Sequence, residues 1–401
     1  MNKVLDRSEL AAMVRNGMAH ARAHTLEQAP EVVALPAARY FDPAIFEAEI
    51  EKIFKRVPLL LAVTAEMPKP GDFKALEAAG VPVLISRGQD GVVRAFINSC
   101  SHRGTNVAMA GHGNAKRFMC PYHGWTFTQK GELMGVASAD DFGEIDKSCF
   151  GLTPLPVTER AGLIWVIVNP DSKLSFDAFL SGYDKLLAHY GFEDWNYHSS
   201  QVIPGPNWKI AYDGYLDFYH LPVLHKNTFG EQMLNQALYY AWGPHQRVQA
   251  PSPDLLNFDN VAEADWSTED MLNGVWTVFP HISIANFNAG VRTVMISQLL
   301  PGATVGESVT TQIFLTVRAP DDAEAAQVAG QCAFLEHVVR DEDYATGFRQ
   351  QRALKNGGRK QVLFGRNEGG AQLFHQWVDR LIAADDDALE QLFVSGLARH
   401  A

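Results

Sequence analysis

The chain has 401 residues, 47% of them hydrophobic and 20% charged, with a formal net charge of −12. That composition belongs to a globular protein with a substantial core, and the length calls for two or three domains. The acidic balance excludes long nucleic acids as partners, because phosphate binding needs a basic surface.

The longest apolar runs, residues 57–63 and 163–168, fall far short of the roughly 18 residues of a membrane span, so no membrane is expected. The opening residues MNKVLDRSEL lack the apolar centre of a secretion signal, which predicts a cytoplasmic protein. Four cysteines, Cys100, Cys120, Cys149 and Cys332, are too scattered for a disulfide framework.

Residues 1–40 carry the pattern of one or two amphipathic helices, with Pro36 ending the stretch. From 57 to 168 the texture changes to short strands and glycine turns. Residues 81–87 and 92–98 predict a hairpin about Gly88 and Gly91. Residues 117–120 and 125–129 are further strands, followed by a turn at Lys130-Gly131. An apolar strand over 163–169 is closed by Pro170. Beyond it, 176–190 and 208–221 are predicted helical. Residues 276–284, 291–300 and 308–319 alternate as strands, and 323–354 and 371–383 are predicted helical. The simplest architecture is a small all-β unit set in a mixed domain of helices and antiparallel sheet.

The β-rich part contains NSCSHRGTNVAMAGHGNAKRFMCPYHGWTF. Cys100, His102, Cys120 and His123 form C-x-H, seventeen residues, then C-x-x-H. Two thiolates and two imidazoles at two loop tips match a Rieske cluster, with two cysteines on one iron and two histidines on the other. A tetrahedral Cys2His2 zinc site competes for this spacing, although C-x2-4-C and H-x3-5-H pairs are its usual form. Arg103-Gly104, Pro121-Tyr122 and Gly124-Trp125 flank the histidines, and glycines there let backbone approach sulfur. His112 reads as a surface loop residue outside the ligand set.

The second constellation is NWKIAYDGYLDFYHLPVLHKNTFG. Asp213, Asp217 and His220 stand at i, i+4 and i+7, which share one face of a regular helix. Pro222 disturbs the chain before His225, so the two imidazoles can converge. Two histidines and a distant carboxylate make the facial triad of non-heme Fe(II) oxygenases. The competing reading is a polar helix face with two unrelated histidines. Surrounding aromatics weigh against it, since buried carboxylates need a metal or proton partner. A third ligand could come from Asp341, Glu342 or Asp343; periodicity does not choose among them, and a solvated helix face is the alternative.

CSHRG with CPYHGW, together with Asp-x3-Asp-x2-His-x4-His, resembles the α subunits of Rieske ring-hydroxylating oxygenases, a family that includes aromatic-ring dioxygenases and demethylating monooxygenases. The resemblance runs from about residue 40 to the C-terminus. It implies that Cys100, His102, Cys120 and His123 hold a [2Fe-2S] cluster and that His220 and His225 bind a mononuclear Fe(II). It places the carboxylate ligand in a D-x7-Q pattern, which Asp343 and Gln351 fit. Asp217 is implied to bridge His220 to His123 of a neighbouring subunit, carrying electrons between them. Asp213, a second acid near the iron, departs from the Asn or Glu that relatives often carry.

The implied fold is α+β: an all-β Rieske domain plus a helix-grip, START-like catalytic domain with an antiparallel sheet. Its expected division is N-terminal helices over 1–40 packed on the catalytic domain, a Rieske domain over 41–170 and a mononuclear-iron domain over 171–401. The implied assembly is an α3 homotrimer, with or without a β subunit. The implied activity hydroxylates an aromatic or related small organic substrate with O2, by dihydroxylation or monohydroxylation. Oxidative O- or N-demethylation is the alternative. No G-x-G-x-x-G opens a helix after a strand, so electrons from NAD(P)H are expected through a separate ferredoxin or flavin reductase. Pocket walls are expected from Tyr212, Asp213, Leu216 and the strands around 280–298, with Ile282, Ile284 and Asn286 as the inward set by alternation; ordinary sheet core is the competing reading of those three, and Arg292 or Arg366 could pair with a substrate carboxylate. Cys149 and Cys332 are expected as buried structural thiols.

Overall fold

Seven strands between residues 196 and 316, several of them rich in β-branched and aromatic residues, build one large sheet. A computed structural model describes residues 7–395. In it, strands Asn196–Gly205, Ser308–Thr316, Arg292–Pro301, Ile282–Asn288, Val275–Val278, His245–Gln249 and Leu238–Trp242 pair antiparallel in that spatial order. Trp276, Ile284, Ile296 and Ile313 stand opposite one another across four of them, all fully buried.

The neighbouring row, Thr277, Ser283, Ser297 and Gln312, points to the other face. Against that second face packs the helix Asp322–His337, where Val328, Cys332 and Leu335 join Met295 and Phe314 in a buried cluster. A π-helical stretch, Val338–Tyr344, follows before the helix Ala345–Lys355. The stretch 323–354, expected to be mostly helical, is helical throughout, and the wider turn falls on Asp341, Glu342 and Asp343. Such insertions recur at functional sites because they re-aim side chains.

The helix predicted over 208–221 ends at Asp213. Residues 214–220 turn instead, and Leu221–Leu224 forms a separate short helix with Pro222 in its first turn. Pro222 is accommodated because a first turn needs no donor at that position. Residues 176–190 likewise split, into Phe176–Leu180 and Tyr183–Leu187, at Ser181 and Gly182, both of positive φ.

The N-terminal stretch forms one helix, Arg7–Ala23, which buries Leu10, Val14 and Met18 and packs on residues 253–271. Where a second helix could have continued, Val33–Pro36 is a strand paired with Gln361–Phe364. Residues 1–6 of that expected helical segment lie outside the described residues. The helix Pro43–Glu49 carries the Glu49 carboxylate onto Lys209 and Trp208, so the segment after 41 packs on the catalytic half.

The β-rich unit contains a five-stranded sheet, built around the hairpin Val81–Arg87 and Val93–Ile97, and two three-stranded sheets. One of these joins Leu59–Val63 to Leu163–Val166. His281, in the turn before Ile282–Asn288, and Gln298 of the large sheet clasp the backbone N–H and C=O of Leu60, at 3.2 and 2.6 Å. Among the described residues no helix is long and apolar enough to cross a membrane.

Candidate metal centres

The first centre sits on two loops of the same backbone design. The C=O of Cys100 accepts from Gly104 N–H, and the N–H of Cys100 donates to Thr105 C=O, at 2.8 and 2.9 Å. Cys120 repeats both bonds with Gly124 and Trp125, at 3.0 and 2.8 Å. Gly104 and Gly124 take positive φ (84° and 69°), which closes each knuckle and which side-chain-bearing residues adopt at a cost. The loops bring His102 and His123 together, with ring centroids 4.7 Å apart.

Cys100 and Cys120 are buried, 3% and 2% exposed, whereas both histidines are only half-buried. His102 stacks on Trp125 at 4.9 Å and His123 on Tyr122 at 3.7 Å. Thiols inside and imidazoles at the surface give a two-ended cradle. That suits a two-iron cluster with one chemically distinct pair per iron better than a single tetrahedral ion. His112 stands on the strand Gly111–Asn114, not in a loop. Its Nε2 lies 2.8 Å from the buried carboxylate of Glu66, away from the four candidate ligands.

At the second centre His220, His225 and Asp343 each offer one donor atom, all within 4.8 Å of one another. His225 Nε2 lies 3.2 Å and His220 Nε2 3.7 Å from Asp343 Oδ1. The opposite ring nitrogens are held by other carboxylates. Asp217 Oδ1 takes both the backbone N–H and Nδ1 of His220, at 3.1 and 3.0 Å. Glu342 Oε2 lies 2.7 Å from His225 Nδ1 and accepts from Thr228 at 2.9 Å. A carboxylate behind each imidazole fixes the tautomer that presents Nε2 forward. Two neutral donors and one anionic donor on one side, with His220 and Asp343 partly open to solvent, fit an Fe(II) facial triad.

The three adjacent acids therefore have three different surroundings. Asp343 faces the histidines, Glu342 supports His225, and Asp341 is turned out to Arg340 and His337. Gln351 makes no bond to Asp343. It accepts the Asn207 N–H at 2.6 Å and donates to Gly306 C=O at 3.0 Å, fixing the start of the helix Trp208–Asp213. The support from Glu342 went unread in the sequence because one carboxylate in a charge run looks like another.

Asp213 does not share a helical face with Asp217 and His220, because the helix stops there. Its Oδ2 accepts from Tyr40 at 2.7 Å and its Oδ1 lies 3.1 Å from His375 Nε2. Neither partner had a sequence signal, since they lie 173 and 162 positions away.

The expected pocket set is largely misplaced. Ile282, Ile284 and Asn286 do share a strand face, but it is the face opposite the helix Asp322–His337 that leads to Asp343. Ile282 and Ile284 are fully buried core, and Asn286 donates to Tyr190 Oη and Leu272 C=O. Alternation fixes which residues travel together, not which layer they meet. Tyr212 and Leu216 are buried at 2% and 1%, and Tyr212 donates to Ile282 C=O at 3.0 Å.

A cavity of about 600 Å³ lies elsewhere, with Phe218, Phe258 and Trp266 and with Asp254, Asp265 and Asp270 in its walls, and none of the expected pocket residues. Arg292 is committed to Glu269 and the faces of Tyr190 and Trp195, and Arg366 donates to Ala29 C=O. Cys332 is buried at 6%, as expected. Cys149 is exposed, since its short helical turn sits in a loop without a core beneath it.

Comparison with known proteins adds an independent line. The family model for the Rieske [2Fe-2S] domain matches residues 58–146, and that for the ring hydroxylating alpha subunit (catalytic domain) matches 192–384. The chain is 30% identical over 238 residues to the glycine betaine monooxygenase oxygenase subunit of Chromohalobacter salexigens, covering 59% of this chain and 52% of that one. It is 26% identical over 268 residues to the anthranilate 1,2-dioxygenase large subunit of Acinetobacter baylyi, covering 64% and 55%. The chain thus spans about half the length of the curated relatives it matches.

Among solved structures, a quaternary ammonium Rieske monooxygenase in complex with L-carnitine superposes with a TM-score of 0.74 at 22% identity, over 88% of this chain and 96% of that one. Naphthalene 1,2-dioxygenase from Rhodococcus sp. bound to indole gives 0.73 at 20% identity, over 94% and 99%. These last two likenesses are of fold. With the two family models in succession and both ligand constellations assembled, the chain belongs to the α subunits of the Rieske ring-hydroxylating oxygenases.

Proposed function

We propose that this chain is a terminal oxygenase component that hydroxylates a small organic substrate with O2, using electrons from NAD(P)H relayed by a ferredoxin or flavin reductase in the cytoplasm. The observation that carries the reading is the convergence of His220, His225 and Asp343, with a carboxylate behind each imidazole. When bound, the mononuclear iron activates O2 and the two-iron cluster supplies it with single electrons.

The chain's own residues divide the remaining work. Cys100 and Cys120 anchor the cluster in the apolar interior, and His102 and His123 present its other end at the surface. Asp217 holds Nδ1 of His220 and leaves its other side for His123 of a neighbouring copy, so electrons cross between subunits of an α3 trimer. Exposed Met109, Met119 and Tyr122 near the cluster loops, and Tyr219 and Val223 near His220, supply apolar surface for that contact. A β subunit is compatible with this arrangement. Asp343 completes the anionic side of the ligand set, and Glu342 keeps His225 in place.

Within this class, oxidative demethylation of an alkylammonium substrate is the second reading. Two observations favour it: relatives named as glycine betaine and carnitine monooxygenases, and a cavity with three aspartates and three aromatic side chains, beside the loop that carries Asp217 and His220. Among the described residues no lysine, arginine or histidine lines that cavity. Carboxylates and aromatic faces attract organic cations.

Iron and acid-labile sulfide content, with EPR of the dithionite-reduced protein, tests the proposal. About three irons and two sulfides per chain are expected. Zinc without sulfide overturns it, and product analysis with isotopically labelled O2 separates ring hydroxylation from loss of an alkyl group.

A further inference from the structure

Three residues far apart in the chain meet in the interior beside the second centre. Tyr40 ends a 3-10 turn, Ala37–Tyr40, at the entry to the catalytic half. Asp213 is the last residue of the helix Trp208–Asp213. His375 lies in the helix Gly369–Ala383. Tyr40 and His375 are each 1% exposed. The Tyr40 hydroxyl donates to Asp213 Oδ2 at 2.7 Å, and His375 Nε2 stands 3.1 Å from both Asp213 Oδ1 and Tyr40 Oη.

His375 Nδ1 is buried without a hydrogen-bond partner, whereas Nε2 is hydrogen-bonded to Tyr40 Oη and stands within ion-pair distance of Asp213 Oδ1. Its proton is therefore assigned to Nε2. A bare Nδ1 lone pair inside the protein costs less than an unprotonated Nε2 whose lone pair would face those of Asp213 and Tyr40. Burial lowers the affinity of the imidazole for a second proton, against the pull of Asp213. The charged groups around the triad are otherwise matched. Lys209 Nζ is bonded by Glu49 at 2.5 and 2.6 Å, and Arg39 by Asp379 at 2.8 Å.

The triad sits at a pivot. The Asp213 C=O accepts the Leu216 N–H at 3.0 Å, which winds the first turn of the loop that goes on to Asp217 and His220. Leu216 C=O is pressed from outside by the helix that carries His375. A Cβ on Gly370 of that helix would stand 3.0 Å from this oxygen. The loop is thus held between Gly370 and the backbone carbonyl of Asp213, the residue whose side chain Tyr40 and His375 hold, four residues before the carboxylate that grips Nδ1 of His220. An error at the pivot is passed to His220 with no intervening regular structure to absorb it.

We propose that Tyr40 and His375 are positioning residues that clamp Asp213, and through it set the loop on which Asp217 and His220 are presented to the mononuclear iron. The proposal rests on His220, His225 and Asp343 being the ligand set. The clamp explains why an acid serves at position 213: one carboxylate oxygen accepts from Tyr40 while the other faces His375 Nε2 at 3.1 Å.

The test is Fe(II) affinity of cluster-loaded full-length protein, measured by competition with a fluorescent chelator, alongside the melting temperature of the iron-free form. Y40F and H375L are expected to weaken iron binding by about ten-fold, near the lower end for loss of a group behind a metal ligand. H375Q, which keeps an N–H donor in about the same place, is expected to recover most of the loss. Melting temperatures falling with unchanged iron affinity overturn the proposal, because a clamp that only supports the fold would do that. Failure of H375Q to outperform H375L overturns it also. H225A serves as the control on the ligand set: if it binds iron as the parent does, the ligand assignment itself fails, and the clamp with it.

Discussion

His225 is gripped from both sides by neighbours in sequence, Glu342 at Nδ1 (2.7 Å) and Asp343 at Nε2 (3.2 Å). Consecutive residues of a regular α-helix point about 100° apart and seldom reach one imidazole from both sides. The π-helical stretch Val338–Tyr344 is where this occurs. Glu342 is therefore predicted to matter nearly as much as a ligand. E342A should weaken Fe(II) binding about ten- to hundred-fold. E342Q, which still offers an acceptor oxygen, should fall between E342A and the parent. Chelator competition on the purified protein checks both; E342A with parental affinity would remove Glu342 from the site.

Electron transfer between copies has a direct complementation test. On the proposed ligand assignments a chain with H123A lacks a cluster ligand and a chain with H220A lacks an iron ligand; neither should turn over alone. In the proposed α3 assembly, mixed oligomers of the two should regain activity, because a cluster in one copy would serve an iron in the next. Recovery should vanish when D217N is added to the H123A chain, which carries the working iron, and persist when it is added to the H220A chain. Transfer within one chain predicts no recovery in any mixture.

The sequence made the cluster loops readable because all of their chemistry is local. Each knuckle needs a cysteine, a histidine two or three places on and a glycine four places on, and Cys100–Gly104 and Cys120–Gly124 supply them. Around the mononuclear centre the readable part was again local, from Asp217 to His225. Errors arose where the answer depended on distant chain. Extension of the helix past Asp213 followed its apolar spacing, which says nothing of Tyr40 and His375 drawing that side chain away. The choice of Ile282 and Ile284 obeyed the pleat but could not know which face receives the helix Asp322–His337. The wide turn at 338–344 leaves no signal in composition at all.

Stability should depend on acid through Glu66, whose side chain is 1% exposed and which joins Lys74 (2.8 Å), His112 (2.8 Å) and the Val63 N–H (2.9 Å). Burial alone would raise its pKa, but the charge of Lys74 and the bonds from His112, Lys74 and Val63 outweigh it and hold the carboxyl below its ordinary 4.5. A depressed folded-state pKa adds stability above 4.5 that is lost as pH falls through the folded value. Melting temperature should therefore drop as pH is lowered from 4.5, and the part due to this group should be absent in E66Q. The variant should also be less stable at neutral pH, on the order of 3 kcal/mol, because Lys74 is left buried without its partner.

The acidic, aromatic cavity makes the substrate question answerable without knowing the substrate. Phe218, in its wall, lies between Asp217 and His220 in the chain, so a ligand bound there would touch the loop that presents the iron ligand. Trp266 is also in the wall, and its indole N–H is already spent on Phe258 and Val261 carbonyls, which leaves the ring as the contact surface. Tetramethylammonium and longer trimethylalkylammonium ions should quench or shift the indole fluorescence, with affinity falling as salt rises. Benzoate and other aromatic carboxylates should do so far less, because Asp254, Asp265 and Asp270 would repel them. Phe258→Ala should weaken binding of the cations about two- to thirty-fold, the span that a cation–π contact of about 0.5–2 kcal/mol implies. D265N and D270N together should cut the salt dependence more than the affinity at high salt, since charges at an exposed rim act chiefly at long range. Equal binding of benzoate and trimethylalkylammonium ions would defeat the alkylammonium reading and leave ring hydroxylation of an uncharged or anionic aromatic standing alone, with the iron and cluster assignments untouched.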